Sequence, residues 1–401
     1  MEENRKVVFY NGSLRIGGIE RILIEVLKNI DKKKLDISLV IEDGIISENV
    51  FEKDIPAEID LSYLKSEETI LRTRELRKKR KNLFYKYLYN MAMAKERRIK
   101  EREFLKLSSE KKPKVIVDFD MGLSKLIHKV DNDIVKIAWV HASIKNWYSK
   151  ASKIKRLGER LKNYNYIVAI CDDMKEELIE LFPHLEDKIL RIYNPFDFER
   201  IRRMAEEKIE VKEEKALFDS PYIISIMRLT TKQKDFLTLL RAYKKLIEDG
   251  KNEKLLIFGN GPDKDKIEEE IVRLDLEGKA ILMGGVENPY PWLKKAKLFV
   301  HSSKYEGLPT VLIEAMILGK GVVSSDCPTG PREILRDGSC GVLYPIGDFD
   351  KMYKEIKMML ENEGYLDNFL ESSHKRIEEF KKETVLEEYK KLILKGKCKE
   401  K

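Results

Sequence analysis

The sequence predicts an α/β protein of two domains, each a parallel sheet wound with helices. Three observations carry this. Short apolar, β-branched runs alternate with helix-length amphipathic runs, the pattern of a parallel sheet covered by helices. The alternation stops at a charged stretch, Glu206 to Lys215, and then restarts. The chain has 401 residues, enough for about two domains.

The elements follow in order. Val7-Val8-Phe9-Tyr10 reads as a buried strand ending at Asn11-Gly12, and Ile19, Ile22, Leu23, Val26, Leu27 and Ile30 then recur at helical spacing. Ile37–Ile41 is the next strand, followed by Val115–Val117, Ile134–Val140, Tyr166–Ile170 and Ile189–Tyr193. Residues 65–112 lack a strand signal and read as a helical insertion in this first domain, 1–196. Residues 197–218 have no core pattern and read as a linker. In the second domain, 219–375, the strands are Tyr222–Met227, Leu255–Phe258, Ala280–Met283, Leu298–His301, Gly321–Ser324 and Gly341–Tyr344. Helices are expected near Phe236, Lys264, Tyr290, Thr310 and Pro331, and a last helical run, Glu378–Leu394, fills the segment 376–401. Ligands of open α/β sheets bind beyond the carboxyl ends of the strands, so two such sheets face to face predict a cleft.

Composition narrows the class. Apolar residues are 42% and charged residues 37%, against a usual ~25% charged. That is too apolar for a disordered chain and too charged for a multi-span membrane protein. The opening Met1-Glu2-Glu3-Asn4 leads directly into a strand, so no signal peptide is expected. Cys171, Cys327, Cys340 and Cys398 are sparse and form no C-x-x-C pair, which argues against a disulfide framework or zinc site and suits a reducing cytoplasm. The net charge is +8, but residues 72–114 hold 17 Lys+Arg and 5 Asp+Glu, a local +12 that leaves the remainder at −4. The basicity belongs to one segment.

Several motifs can carry chemistry. Gly17-Gly18 precedes the first helix, where close backbone approach and free N–H groups suit an anion, although an ordinary strand-to-helix turn looks the same. Arg228 follows the first strand of the second domain, with Lys232 and Lys234 within loop reach; fixed cations there suit a diphosphate, or are simply solvated. Glu306 and Glu314 flank seven residues that include Pro309 near a helix start. A carboxylate on an apolar helix needs hydrogen-bond donors, which sugar hydroxyls provide. Asp326-Cys327-Pro328-Thr329-Gly330-Pro331 and Gly259-Asn260-Gly261-Pro262 are tight loops that present N–H groups or merely turn. His141 ends a strand and faces the expected cleft. Asp118-Phe119-Asp120 has the form of a metal-binding Asp-x-Asp, but no further ligands accompany it, so no metal is expected.

Gly-Gly-Ile-Glu, Arg-x5-Lys, Glu-x7-Glu and Cys-Pro-Thr-Gly-Pro-Arg-Glu-Ile occur in this order over nearly the whole chain. The set resembles retaining glycosyltransferases of family four, which have the GT-B fold of two Rossmann-like domains. Leu255–Asp348 resembles transferases that build lipid-linked or surface polysaccharides, through Glu287-Asn288-Pro289-Tyr290-Pro291 and Tyr305-Glu306-Gly307-Leu308-Pro309. The resemblance implies that Arg228 and a following Lys bind the donor diphosphate and that Glu314 binds the ribose. It further implies that Glu306 and the backbone of Gly307-Leu308-Pro309, with Thr310, hold the donor sugar. His141 positions that sugar, Gly17 and Gly18 lie on the phosphate side, and Gly261 and Val286 complete the donor contacts. The final helix is implied to return to the first domain. One departure stands out: the position five after Arg228 is Gln233, flanked by Lys232 and Lys234, with Lys234 favoured by its Lys-Asp-Phe context.

The expected activity is metal-independent, retaining transfer of a sugar from a nucleotide diphosphate sugar, UDP-linked, to a glycan acceptor that is lipid-linked. The nucleotide sugar is a co-substrate and no cofactor is required. In the insertion, Arg77, Lys78, Lys79, Arg80 and Lys81 precede a face formed by Phe84, Tyr87, Leu88 and Met91, widened by Tyr85 and Tyr89. That composition suits a helix on an anionic membrane and predicts a cytoplasmic enzyme peripheral to the inner face of the cell membrane. A solvated helical hairpin is the plainer reading. A sugar-nucleotide epimerase of the same fold is an alternative, and a nucleic-acid-binding protein a remote one, since the arm has no nucleic-acid-binding motif.

Overall fold

The structure, a computed structural model, describes residues 4–148, 150–209 and 212–395. Cys398 and residues 396–401 of the expected 376–401 segment lie outside them, as do Met1–Glu3 and part of the expected linker. The chain divides into two compact units, one of residues 4–195 with 382–395 and one of residues 196–381.

The first unit is a seven-stranded parallel sheet of β1 (Arg5–Asn11), β2 (Leu35–Gly44), β3 (Asp60–Ser66), β4 (Val115–Asp118), β5 (Val135–Val140), β6 (Tyr166–Ala169) and β7 (Ile189–Arg191), in the order β3-β2-β1-β4-β5-β6-β7. β4 and β5 are buried throughout, because a parallel strand covered on both faces reads as an unbroken apolar run. Helix α1 (Gly18–Asn29) buries Ile22, Leu23, Val26 and Leu27, with Glu20 in its first turn and Lys28 in its last, both matched to the helix dipole. The strand order reverses between β1 and β4, so their carboxyl ends form the switch point of this sheet.

The insertion is two helices, α2 (Glu67–Lys79) and α3 (Leu83–Lys111). Ser66 caps the first, accepting from the Thr69 N–H, and Asn82 caps the second, accepting from the Phe84 N–H. It begins later than residue 65, because Lys65 and Ser66 end β3, an edge strand that pairs with β2. β3 is half-exposed and lacks the apolar run that marks its neighbours.

The second unit is a six-stranded parallel sheet of β8 (Tyr222–Ile226), β9 (Lys254–Phe258), β10 (Ala280–Gly284), β11 (Leu298–His301), β12 (Gly321–Ser325) and β13 (Val342–Tyr344), in the order β10-β9-β8-β11-β12-β13. The helix Phe236–Glu248 covers one face, burying Phe236, Leu239, Leu240, Tyr243 and Leu246 in a core shared with Ile223, Leu255 and Ile257. Here the order reverses between β8 and β11. The segment 197–218, expected as a linker, instead contains the helix Phe198–Met204, in which Phe198 and Ile201 are buried, and most of the helix Lys212–Asp219. Its many charges mask these anchors. Two helices absent from the sequence reading, Phe349–Glu361 and Glu363–Ile377, complete the unit. The chain enters and leaves it side by side, the Phe196 N–H donating to the Phe380 carbonyl at 2.9 Å.

The last helix, Lys382–Lys395, packs in the first unit. Tyr389 stacks on Trp139 of β5 at 4.4 Å between ring centroids, and Lys390 pairs with Asp31 at 2.7 Å. No described helix is long and apolar enough to cross a membrane. Cys171, Cys327 and Cys340 are buried thiols, and no disulfide is found among the described residues.

Candidate functional site

In the second unit the switch point gathers three loops. The loop after β8 carries Arg228 to Lys234, the loop after β11 carries Ser302 to Pro309, and the loop after β12 carries Asp326 to Gly330. They are stitched backbone to backbone: the Asp235 N–H donates to the Ser302 carbonyl at 3.1 Å, Lys304 N–H to Gln233 at 2.8 Å, and Glu306 N–H to Pro328 at 2.9 Å. The Thr329 hydroxyl donates to the Glu306 carbonyl at 2.6 Å. Gly330 at φ +94° is required there, since a Cβ would stand 2.6 Å from the Gly307 carbonyl oxygen.

Glu306 is the centre. Its carboxylate, 9% exposed, pairs with the equally buried Lys234 ammonium and accepts from the Ser303 hydroxyl at 2.6 Å and the Gln233 amide at 3.2 Å. His301 Nε2 lies 3.2 Å from Glu306 Oε1. Burial alone would raise the Glu306 carboxyl, but the His301 hydrogen bond and the Lys234 charge override it and hold it at about 2. Burial and the Lys234 charge lower the His301 pKa, so at neutral pH the ring is uncharged. A neutral ring that donates from Nε2 to Glu306 leaves Nδ1 as a bare acceptor, and Nδ1 is indeed buried without a partner.

The structure thus brings Lys234, not Lys232, to Glu306; Lys232 is exposed. Lys234 pairs with a carboxylate, a contact that its expected place at the donor diphosphate did not include. Arg228, two residues past the end of β8, is exposed, and no side-chain partner is found for it among the described residues. The helix Thr310–Ile317 begins directly after Gly307-Leu308-Pro309, with Glu314 half-buried on it. Gly261 serves packing first, since a Cβ there would stand 2.1 Å from the Leu229 carbonyl oxygen. Val286 follows β10, the edge strand two places from the switch point, and is half-buried away from this cluster. Ser303 and His301 were missed because polar residues at the end of a buried strand read as its exit, and Gln233 was read only as a departure from the Arg-x5-Lys spacing. The run His301-Ser302-Ser303 after the apolar Leu298–Val300 was the available signal.

In the first unit, Gly17 is the N-cap of α1, and the Glu20 carboxylate folds back over it, within 2.2 Å of where a Cβ would sit. Gly18 is open to solvent, with nothing within 4 Å of such a Cβ. His141 follows β5, its ring 4.7 Å from that of Phe119. Burial drives its pKa down to about 3 against a backbone hydrogen bond with Phe119, so the imidazole is neutral, and Nε2 is buried without a partner.

The Asp118-Phe119-Asp120 motif has an architectural role. Asp118 accepts from the Leu123 N–H and the Tyr164 hydroxyl; Asp120 accepts from the N–H groups of Gly12 at 2.8 Å and Gly122 at 2.9 Å. No group of three or more metal-ligating residues occurs among the described residues. Burial, reinforced by Asp120, raises the Asp118 carboxyl to about 7 from an ordinary 3.8. A raised acid holds its proton in the folded state, so stability is full below the unfolded pKa and falls as pH rises from about 4 towards 7. Asp118→Asn is expected to flatten that slope in urea unfolding between pH 5 and 8. An unchanged slope would remove Asp118 as its source.

Comparison with known proteins comes to the same fold. Residues 207–383 match the family described as "Glycosyl transferases group 1". An uncharacterised glycosyltransferase of Methanocaldococcus jannaschii is 33% identical over 246 residues, 58% of this chain and 60% of that protein. The N-acetylgalactosamine-N,N'-diacetylbacillosaminyl-diphospho-undecaprenol 4-alpha-N-acetylgalactosaminyltransferase of Campylobacter jejuni is 32% identical over 219 residues, 55% of this chain and 57% of that protein. The chain therefore spans less than two thirds of the length of either relative. Among solved structures, the Anabaena protein Alr3699/HepE in complex with UDP and glucose superposes with a TM-score of 0.76 at 14% identity, over 98% of this chain and 100% of that one. The two Rossmann-like units are those of the GT-B fold, as the sequence resemblance implied.

Proposed function

We propose, on the premise that the second unit is a group 1 glycosyl transferase domain of the GT-B fold, that this chain moves a sugar from a nucleotide diphosphate sugar to a glycan acceptor. The observation that carries the proposal is the Lys234–Glu306 pair, held by Ser303 and His301 at the β8/β11 switch point, with Arg228 exposed on the same loop as Lys234 and without a side-chain partner among the described residues. As the bond from sugar to phosphate breaks, negative charge builds on the leaving diphosphate. Arg228 meets that charge bidentately, and N–H groups at the start of the Thr310–Ile317 helix add to it. Glu306, kept ionised, accepts hydroxyl hydrogen bonds from the donor sugar, and Glu314 from the ribose. Lys234 orients Glu306 and adds positive potential. These charges are preorganised and do the work of a divalent ion, so the reaction is metal-independent. The acceptor's proton passes to the leaving phosphate oxygen on the same face, which retains configuration without a protein base. His141, uncharged, positions the sugar.

UDP is the proposed nucleotide, supported by the UDP bound in the Anabaena structure, and the name of the Campylobacter relative supports a lipid-linked acceptor. The insertion supports a membrane-peripheral site of action. Phe84, Tyr87 and Met91 are exposed along α3, next to the basic run Arg77 to Lys81; Leu83 joins them, whereas Leu88 is half-buried. Each Lys or Arg near an anionic surface contributes ~1 kcal/mol, and the exposed rings insert at the headgroups.

UDP added with EDTA is expected to raise the melting temperature, by the equivalent of ~2.7 kcal/mol at a hundredfold excess over Kd. No shift with UDP, GDP or ADP would overturn the reading, and a shift that EDTA abolishes would overturn its metal independence. Sedimentation with phosphatidylglycerol vesicles, but not phosphatidylcholine vesicles, is expected. Equal recovery in the supernatant with both would remove the membrane.

A further inference from the structure

The helical insertion does more than present a basic surface. Between α2, α3 and the carboxyl ends of β1 and β2 lies a cavity of about 430 Å³, the size of a small-ligand site. It sits where ligands of open parallel sheets bind, in a different unit from the Lys234–Glu306 cluster.

Its walls are built from two squares of opposed charge. In the first, Lys65 bridges Glu42 at 2.6 Å and Glu96 at 2.8 Å, and Lys100 also reaches Glu42. Tyr10 adds a hydroxyl to the same Glu42 carboxylate. Burial would raise Glu42, but the Lys100 and Lys65 charges hold it at about 2. In the second, Arg15 binds Asp43 and Glu48, and Arg74 binds the same two carboxylates. Each square holds two cations and two anions and is neutral. Burying the Lys65 square, whose lysines are about one tenth exposed, carries a desolvation cost that its ion pairs offset only in part.

One cation is left over. Arg77 lines the cavity from the last turn of α2, and no ion-pair partner is found for it among the described residues. Tyr89 and Met93, one turn apart on α3, line the cavity with Ile70 and Thr73 of α2. Tyr89 thus turns inward and does not widen the outward face as its sequence context implied. Among the described residues Glu96 accepts from Lys65 only and Arg77 has no ion-pair partner, and Glu96 and Asp43 line the cavity, so fixed carboxylates stand beside an aromatic ring and a guanidinium. Carboxylates suit hydroxyl donors, a ring suits the apolar face of a pyranose, and Arg77 suits one anionic oxygen pair.

We propose that this cavity binds a sugar carrying one acidic group, a carboxylate or a phosphate, as the recognised unit of the acceptor. The acceptor assignment rests on the transferase reading; the binding does not.

The test is saturation-transfer NMR on the full chain with four probes: glucuronate, glucose 6-phosphate, glucose and inorganic phosphate. At least one acidic sugar is expected to bind more tightly than both glucose and inorganic phosphate, and which one does identifies the acidic group. Arg77→Ala, at an exposed site, is expected to keep the wild-type melting temperature and to weaken that binding about tenfold, the scale of one lost charge-assisted contact. Glucose binding as well as the acidic sugars, phosphate alone binding, no probe binding, or unchanged affinity in Arg77→Ala would each overturn the proposal. UDP is titrated in parallel: loss of UDP binding with acidic-sugar binding intact would sink the transferase reading and leave the cavity assignment standing.

Discussion

Lys234→Met is expected to destabilise the second unit by about 3–5 kcal/mol at pH 7, the cost of leaving a buried charge without its partner. Lys234 and Glu306 are each 9% exposed, so water does little to replace the lost ammonium. Ser303 and Gln233 still donate to the carboxylate, but neutral donors do not offset a full charge. The pH dependence separates this from a packing loss. In the wild type the Glu306 carboxyl is depressed to about 2, so its contribution is present above its ordinary 4.5 and is lost as pH falls through 2. Without Lys234, burial is opposed only by the His301, Ser303 and Gln233 hydrogen bonds, and the folded-state pKa rises from about 2. The variant therefore takes up its proton at a higher pH than the wild type, and the gap between them narrows as pH falls. Lys234→Met/Glu306→Gln removes charge and partner together and is expected to recover most of the loss. Urea unfolding of the wild type and the two variants at pH 7 and 5 measures this. A double variant no more stable than the single one, with a gap independent of pH, would show that Lys234 matters for shape alone.

Why Lys234 and not Lys232 was hard to see in the sequence has a physical origin. Both are lysines on one loop, and their separation into a buried and an exposed residue is made by Ser303 and Glu306, some seventy positions away in the chain. Residue type was legible and partner was not. The same division runs through the fold. β4 and β5 announced themselves because both faces are covered, whereas the half-exposed edge strand β3 looked like the start of the insertion. The charged 197–218 segment hid Phe198 and Ile201, which bury their side chains in a short helix. Gly261 was legible as a glycine that matters, but the Leu229 backbone already gives it a reason. Asp118 and Asp120 carried a metal-site pattern, yet their oxygens are spent on backbone N–H groups and Tyr164. Pattern reports what a segment can do locally; pairing across the switch point decides which of those capacities is left over for a ligand.

Arg228 is what is left over at the proposed donor site, and Arg228→Ala is expected to lower kcat/KM for transfer from the nucleotide sugar by about 100-fold or more, the usual loss when one preorganised donor to a developing charge is removed. Its side chain is exposed and no intramolecular partner is found for it among the described residues, so folding does not depend on it. Stability is therefore expected to stay within about 0.5 kcal/mol of wild type, in contrast to Lys234→Met. The loss should appear in kcat as well as KM, because charge on the diphosphate grows as the glycosidic bond breaks and Arg228 meets more of it in the transition state than in the bound donor. Arg228→Lys keeps the charge but not the planar fork, and is expected to recover only part of the activity. Lys232→Ala, which removes an exposed cation from the same loop, is the control for a general change of potential and should cost far less. If Arg228→Ala turned over donor at a near-normal rate, or if Lys232→Ala were equally damaging, the diphosphate would have to be held elsewhere, and the role assigned to the β8 loop would fall with it.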